Sequence, residues 1–75
     1  MIQITRNKNM VHVIEENPCQ RTANRHCIIN CKDLQAAKEF KKILVNYNAL
    51  STSTRWTTLD EAIFISAKYG PITVL

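Results

Sequence analysis

The sequence predicts an α+β fold: a small, mainly antiparallel sheet in the order β-β-β-α-(β)-α-β, with two helices packed on one face. Three observations predict it. Apolar and polar residues alternate near the start, an apolar stripe recurs at helical spacing from residue 34, and a second helical segment ends at Gly70-Pro71.

Ile2 and Ile4 alternate with Gln3 and Thr5, and Val11 and Val13 alternate with Met10, His12 and Ile14, the period-2 pattern of two strands. The stretch Arg6-Asn7-Lys8-Asn9 closes them into a hairpin. With Asn7-Lys8 as the two-residue loop, Ile4 lies opposite Val11 and Ile2 opposite Val13, so the β-branched side chains meet on one face. Asn tolerates the positive φ that such a loop requires. Residues 16–20 read as a turn around Pro18, which has no N–H for a ladder. Residues 25–31, Arg-His-Cys-Ile-Ile-Asn-Cys, form the third extended run.

Asp33 is placed to cap a helix over 34–47, because its carboxylate can accept from the unpaired amides of the first turn. Ala36, Ala37, Phe40, Ile43, Leu44 and Tyr47 make its apolar stripe, with Gln35, Lys38, Glu39, Lys42 and Asn46 opposite. Thr58-Leu59-Asp60-Glu61 has capping-box spacing for a second helix, with Leu59, Ala62, Ile63 and Ala67 on its apolar side. Gly70 and Pro71 stop that helix, and 71–75 read as a closing strand. Residues 51–57 fit a polar loop and an edge strand equally, since Thr and Trp favour strands and Ser does not.

With 75 residues the chain is read as one domain with one small core, so function is expected on its surface. An apolar fraction of 45% with a single Gly and two Pro describes a folded chain rather than a disordered one. The opening residues lack a signal-peptide pattern and no apolar run approaches the roughly 20 residues of a bilayer span, which predicts a soluble, cytoplasmic protein without a membrane partner. Three cysteines in such a chain are expected to be reduced.

Cys19, His26, Cys27 and Cys31 have the donor types of a zinc site. Their spacing argues against one. Along a strand, Cys27 and Cys31 stand roughly 13 Å apart at about 3.3 Å per residue, and metal–sulfur bonds of about 2.3 Å cannot bridge that gap. Core thiols are the expected reading, with no metal and no cofactor. His12 and His26 could act as an acid–base pair, but no nucleophile, oxyanion donor or convergent carboxylate accompanies them, so no catalytic residue is assigned and no enzyme is expected. The single Gly excludes a glycine-rich phosphate loop.

Charge is more informative. Residues 1–42 hold eight Lys and Arg against four acids, which accounts for the whole net charge of +4. Arg21, Arg25, Lys38, Lys41 and Lys42 make up the candidate basic patch, suited to phosphates or an acidic protein surface. The face opposite the helices would carry Met10, His12, Ile14, His26, Ile28 and Asn30, a mixture of apolar and polar groups typical of binding surfaces. Arg55 and Trp56 add a loop candidate, both types being enriched where interface energy concentrates.

Two functions are expected from this reading. The first is a small non-catalytic binding or inhibitor protein, monomer or homodimer, that docks on a larger protein or ribonucleoprotein. Small, motif-free chains of this kind are frequent among the anti-defence, anti-CRISPR-like proteins that phages and mobile elements use against host machinery. The second is a nucleic-acid-binding module that uses the basic half and the first helix. The cysteine spacing also yields a test: the protein should purify without stoichiometric zinc and keep its fold in chelator. One equivalent of zinc by elemental analysis, with unfolding on its removal, would overturn this.

Overall fold

The computed structural model describes residues 2–16, 25–51 and 56–75. Four strands, β1 (Ile2–Asn7), β2 (Met10–Glu15), β3 (Arg25–Asn30) and β4 (Ile72–Val74), form an antiparallel sheet in the order β1-β2-β3-β4. Helices α1 (Leu34–Leu50) and α2 (Thr58–Ile65), the latter prolonged by a 3-10 turn over Ser66–Lys68, connect β3 to β4. The fold is α+β, in the order β-β-β-α-α-β. Ser51, Trp56 and Thr57 are not in a strand, and residues 52–55 lie outside the described part.

The hairpin differs from the sequence expectation by one loop position. Lys8 and Asn9 are its two loop residues, and Lys8 takes the positive φ of 56°. Ile4 therefore lies opposite Val13, and Ile2 opposite Glu15. Asn9 is held elsewhere: its Nδ2 donates to Cys31 O at 2.9 Å, and its carbonyl accepts from the Cys31 N–H at 2.8 Å. Those two bonds tie the loop to the end of β3. Because the register moves by two residues, every side chain keeps its face.

Period-2 alternation then sorts the sheet. Val11, Val13, Cys27 and Ile29 are fully buried on the helix-covered face, and Ile2, Ile4 and Ile72 pack around them. Helix α1 lies over β1 and β2, and α2 over β2 and β3. Ala36 and Ala37 bring the α1 backbone close to the strands, while Phe40 and Leu44 fill the space between. The Phe40 ring meets Tyr69 edge-on at 5.3 Å.

Helix ends follow local chemistry. Asp33 Oδ1 accepts from Ala36 N at 2.7 Å, the expected cap. Helix α1 runs past Tyr47 to Leu50, and Asn48 Oδ1 in that last stretch accepts from the Thr58 hydroxyl at 3.0 Å. For α2 the capping box sits one residue earlier than the sequence suggested. Thr57 is the cap and Asp60 the reciprocal acceptor, since Asp is short enough to return to the Thr57 N–H at 3.0 Å. Ala67 is exposed, not apolar-face, because the helix tightens at Ser66, which is buried in its place with its hydroxyl bonded to Ile63 O at 2.8 Å. Gly70, with φ of 155°, returns the chain to β3, and a Cβ there would collide with the Asn30 carbonyl. The flanking bonds Lys32 N–H to Tyr69 O and Asn30 N–H to Pro71 O bring β4 alongside β3.

Phe40 has the largest fully buried side chain. Phe40→Ala should cost about 3–5 kcal/mol, enough to unfold most domains of this size. A thermal melt of the variant checks this, with loss of the cooperative transition expected.

Candidate functional site

The strands that bury Val11, Val13, Cys27 and Ile29 send the intervening residues to the other face. His12 pairs with Ile28, Ile14 with His26, and Met10 with Asn30 across β2 and β3. Gln3 and Thr5 from β1 and Thr73 from β4 extend the same surface. All six residues assigned from the sequence therefore share one face. Among the described residues no helix packs on it. Met10 is 37% exposed, His12, Ile14, His26 and Ile28 are half-buried, and Asn30 is exposed.

The two histidines stand side by side, ring centres 5.5 Å apart and tilted by 32°. Nε2 of His26 and Nδ1 of His12 are separated by 3.4 Å, at which one ring nitrogen donates to the other. Each imidazole thus gives a polar atom to its neighbour, on a face shared with Ile14 and Ile28. Cys27 faces the opposite way, into the core, so His26 and Cys27 cannot meet at one ion. Burial pushes the Cys27 thiol up to about 11, against the opposing pull of Arg25 and of a hydrogen bond with the Val13 backbone. Burial raises the Cys31 thiol too, with help from the Asp33 carboxylate. Both shifts favour the protonated thiol at neutral pH, a weaker nucleophile than the thiolate. Among the described residues no group of three or more His, Cys, Asp or Glu side chains gathers. No described helix is long and apolar enough to cross a membrane.

The basic patch is redistributed. Arg25, at the start of β3, has Nη2 at 3.0 Å from Asp60 Oδ1 and Nη1 at 3.8 Å from Glu15 Oε1. Glu15 is buried there, opposite Arg25 in the ladder. Arg25 thus closes the end of the core beneath α2. Lys38 and Lys42 are exposed and Lys41 is half-buried on α1. Arg21, with Cys19, lies outside the described residues, as does Arg55.

Trp56 is 44% exposed. Its indole N–H donates to Glu61 Oε1 at 2.8 Å, and its ring stands edge-on to Phe64 at 6.0 Å. Phe64, 71% exposed, is a surface aromatic that the sequence reading passed over. Its signal was present: Phe64 falls off the stripe of Leu59, Ala62 and Ile63, so a helix packed on that stripe must show it to water.

No protein-family model matches the chain, and no curated protein or solved structure is significantly similar to it.

Asp60 joins two functions of the fold, the α2 cap and the Arg25 pair. Burial alone would raise its carboxyl; hydrogen bonds from the Thr57 backbone, Arg25 and the Thr57 hydroxyl, with the Arg25 charge, outweigh burial and hold it below its ordinary 3.8. A carboxylate depressed in the folded state contributes stability above its unfolded pKa and loses it as pH falls through the folded one. Asp60→Ala should therefore cost about 1–2 kcal/mol at neutral pH. The gap from wild type should close on acidification, as urea melts at neutral and strongly acidic pH would measure.

Proposed function

We propose that this chain is a non-catalytic docking module of the inhibitor type, which binds a larger protein or ribonucleoprotein through the uncovered face of its sheet. One observation carries the reading: both helices pack on the same side, leaving Met10, His12, Ile14, His26 and Ile28 as a contiguous half-apolar surface with no helix on it among the described residues. Such a surface can lose its remaining water to a complementary partner without rearrangement of the fold. A cytoplasmic setting and an anti-defence role against host machinery belong to this reading; the second is supported by how frequent small, motif-free chains are among such proteins.

A nucleic-acid-binding module is the competing reading, favoured by Lys38, Lys41 and Lys42 on one helix. Withdrawal of Arg25 into the Glu15–Asp60 cluster weakens it, because a paired guanidinium has less charge to offer phosphates.

Affinity capture from lysate with and without nuclease separates the two. Met10→Asp with Ile28→Asp should leave the fold intact and abolish partner retention, since two carboxylates would be desolvated in an apolar contact. Lys38→Ala, Lys41→Ala and Lys42→Ala together should leave retention of the partner bound at the sheet face intact, and nuclease should not release it. Retention lost in the triple variant and kept in the double one, with release by nuclease, would make the nucleic-acid reading the correct one.

A further inference from the structure

The two edges of the sheet are unlike. β4 is three residues long and follows Pro71, which has no N–H to offer. β1 is six residues long and forms the other edge, with no strand beyond it among the described residues. Hydrogen-bond phase shows which of its groups are free. The Cys31 N–H bonds the Asn9 carbonyl, so Met10 turns its own backbone groups away from β3 and toward β1. In β1, Asn7, Thr5 and Gln3 then bond β2, while Ile2, Ile4 and Arg6 direct N–H and C=O outward.

Next to that edge runs one flank of α1. Leu34, Lys38, Lys41 and Val45 follow helical spacing along a single line, and α1 makes its most extensive sheet contact with β1. Leu34 lines a depression of about 460 Å³ with Arg6, Lys8, Asn9 and Asp33, which sets the start of the helix beside the end of the strand. From Leu34 to Val45 the helix rises about 16 Å, close to the roughly 17 Å of a six-residue strand. Leu34 and Val45 are 47% and 45% exposed. The margin therefore reads apolar, basic, basic, apolar, with Arg6 and Lys8 at the hairpin end. Asp33, the acid among these residues, is engaged as the α1 cap.

We propose that the β1 edge is a docking site for an extended acidic peptide segment of a partner protein, which adds a fifth strand alongside β1 and sets alternate acidic side chains against Lys38 and Lys41. A peptide strand satisfies the outward groups of Ile2, Ile4 and Arg6 with its own backbone, which nucleic acid cannot do. Edge strands that avoid pairing usually carry a charge directed inward or a Pro within the strand. β1 contains no Pro, and its one charge, Arg6, lies at the hairpin end with its guanidinium donating to the Lys8 carbonyl, which leaves Ile2 through Thr5 without either device. The lysines stand on the neighbouring helix, where they select the charge of an incoming strand without blocking its backbone. The site is separate from the uncovered face and does not depend on it.

The test uses a fluorescein-labelled peptide alternating Val and Glu, its Val–Lys counterpart and an oligothymidylate, with amide exchange read by NMR. In the free protein, Ile4 and Arg6 amides should exchange fast and Thr5 slowly. The Val–Glu peptide should slow Ile4 and Arg6 at least tenfold, and the Val–Lys peptide should bind at least tenfold more weakly. Lys38→Glu with Lys41→Glu should weaken Val–Glu binding by at least tenfold. Arg6→Pro should weaken it about fivefold more than Arg6→Ala, the factor for one lost backbone hydrogen bond of about 1 kcal/mol. Met10→Asp with Ile28→Asp should leave it within about twofold of wild type, so failure of the face reading and failure of this one are distinguishable. The proposal is overturned if Ile4 and Arg6 gain no protection, if they are already protected by self-association, or if the oligonucleotide binds at this margin more tightly than the peptide.

Discussion

The packing of both helices on one face of the sheet is the constraint from which the rest of the molecule follows. A chain of 75 residues has material for one small core, and here that core is the layer between Val11, Val13, Cys27 and Ile29 below and Phe40, Leu44, Leu59 and Ala62 above. Strand periodicity makes the division unavoidable. Once those four strand residues face the helices, Met10, His12, Ile14, His26 and Ile28 must face away. That half-apolar surface, on which no described helix packs, is thus a consequence of how the core is built.

Elements whose signals are local were legible in the sequence. Alternation placed β1, β2 and β3 on the correct faces, Asp33 marked the start of α1, and the spacing of Phe40 and Leu44 gave its buried side. Less legible was anything decided by a distant partner. The hairpin loop moved by one position because Asn9 bonds to Cys31, a contact across 22 residues that no local pattern contains. The α2 cap moved from Thr58 to Thr57 because Asp60 reaches the nearer amide, and because the Thr58 hydroxyl is bound to Asn48. Faces survived where boundaries did not, since the register shift was even.

Charge shows the same division. Arg25 counted as a free cation in the sequence because Glu15 and Asp60 stand 10 and 35 positions away. In the fold, the three meet at the end of the core, where Glu15 is buried and an unpaired carboxylate would be costly. Net charge can be read by counting, whereas the charge a surface presents depends on which ions the fold has already paired. After that pairing, Arg6, Lys8, Lys38 and Lys41 give the margin beside β1 a positive field that composition assigned to the whole first half of the chain.

The two sheet edges then acquire different properties from the same connectivity. β4 arrives last, through a 3-10 turn and Gly70, whose backbone is pressed against the Asn30 carbonyl, and three residues of pairing are all that Ile72–Val74 provide. β1 comes first, and its six-residue pairing with β2 is closed by a hairpin of only two residues. Its length serves the core, because Ile2 and Ile4 must extend under α1 to complete the apolar layer. A strand long enough to do that leaves three residues with backbone groups directed outward, and the helix that covers its face stops short of covering its edge. Burying β1's side chains and exposing its backbone are therefore one structural decision, which makes recognition along this edge a property of the fold more than of any motif.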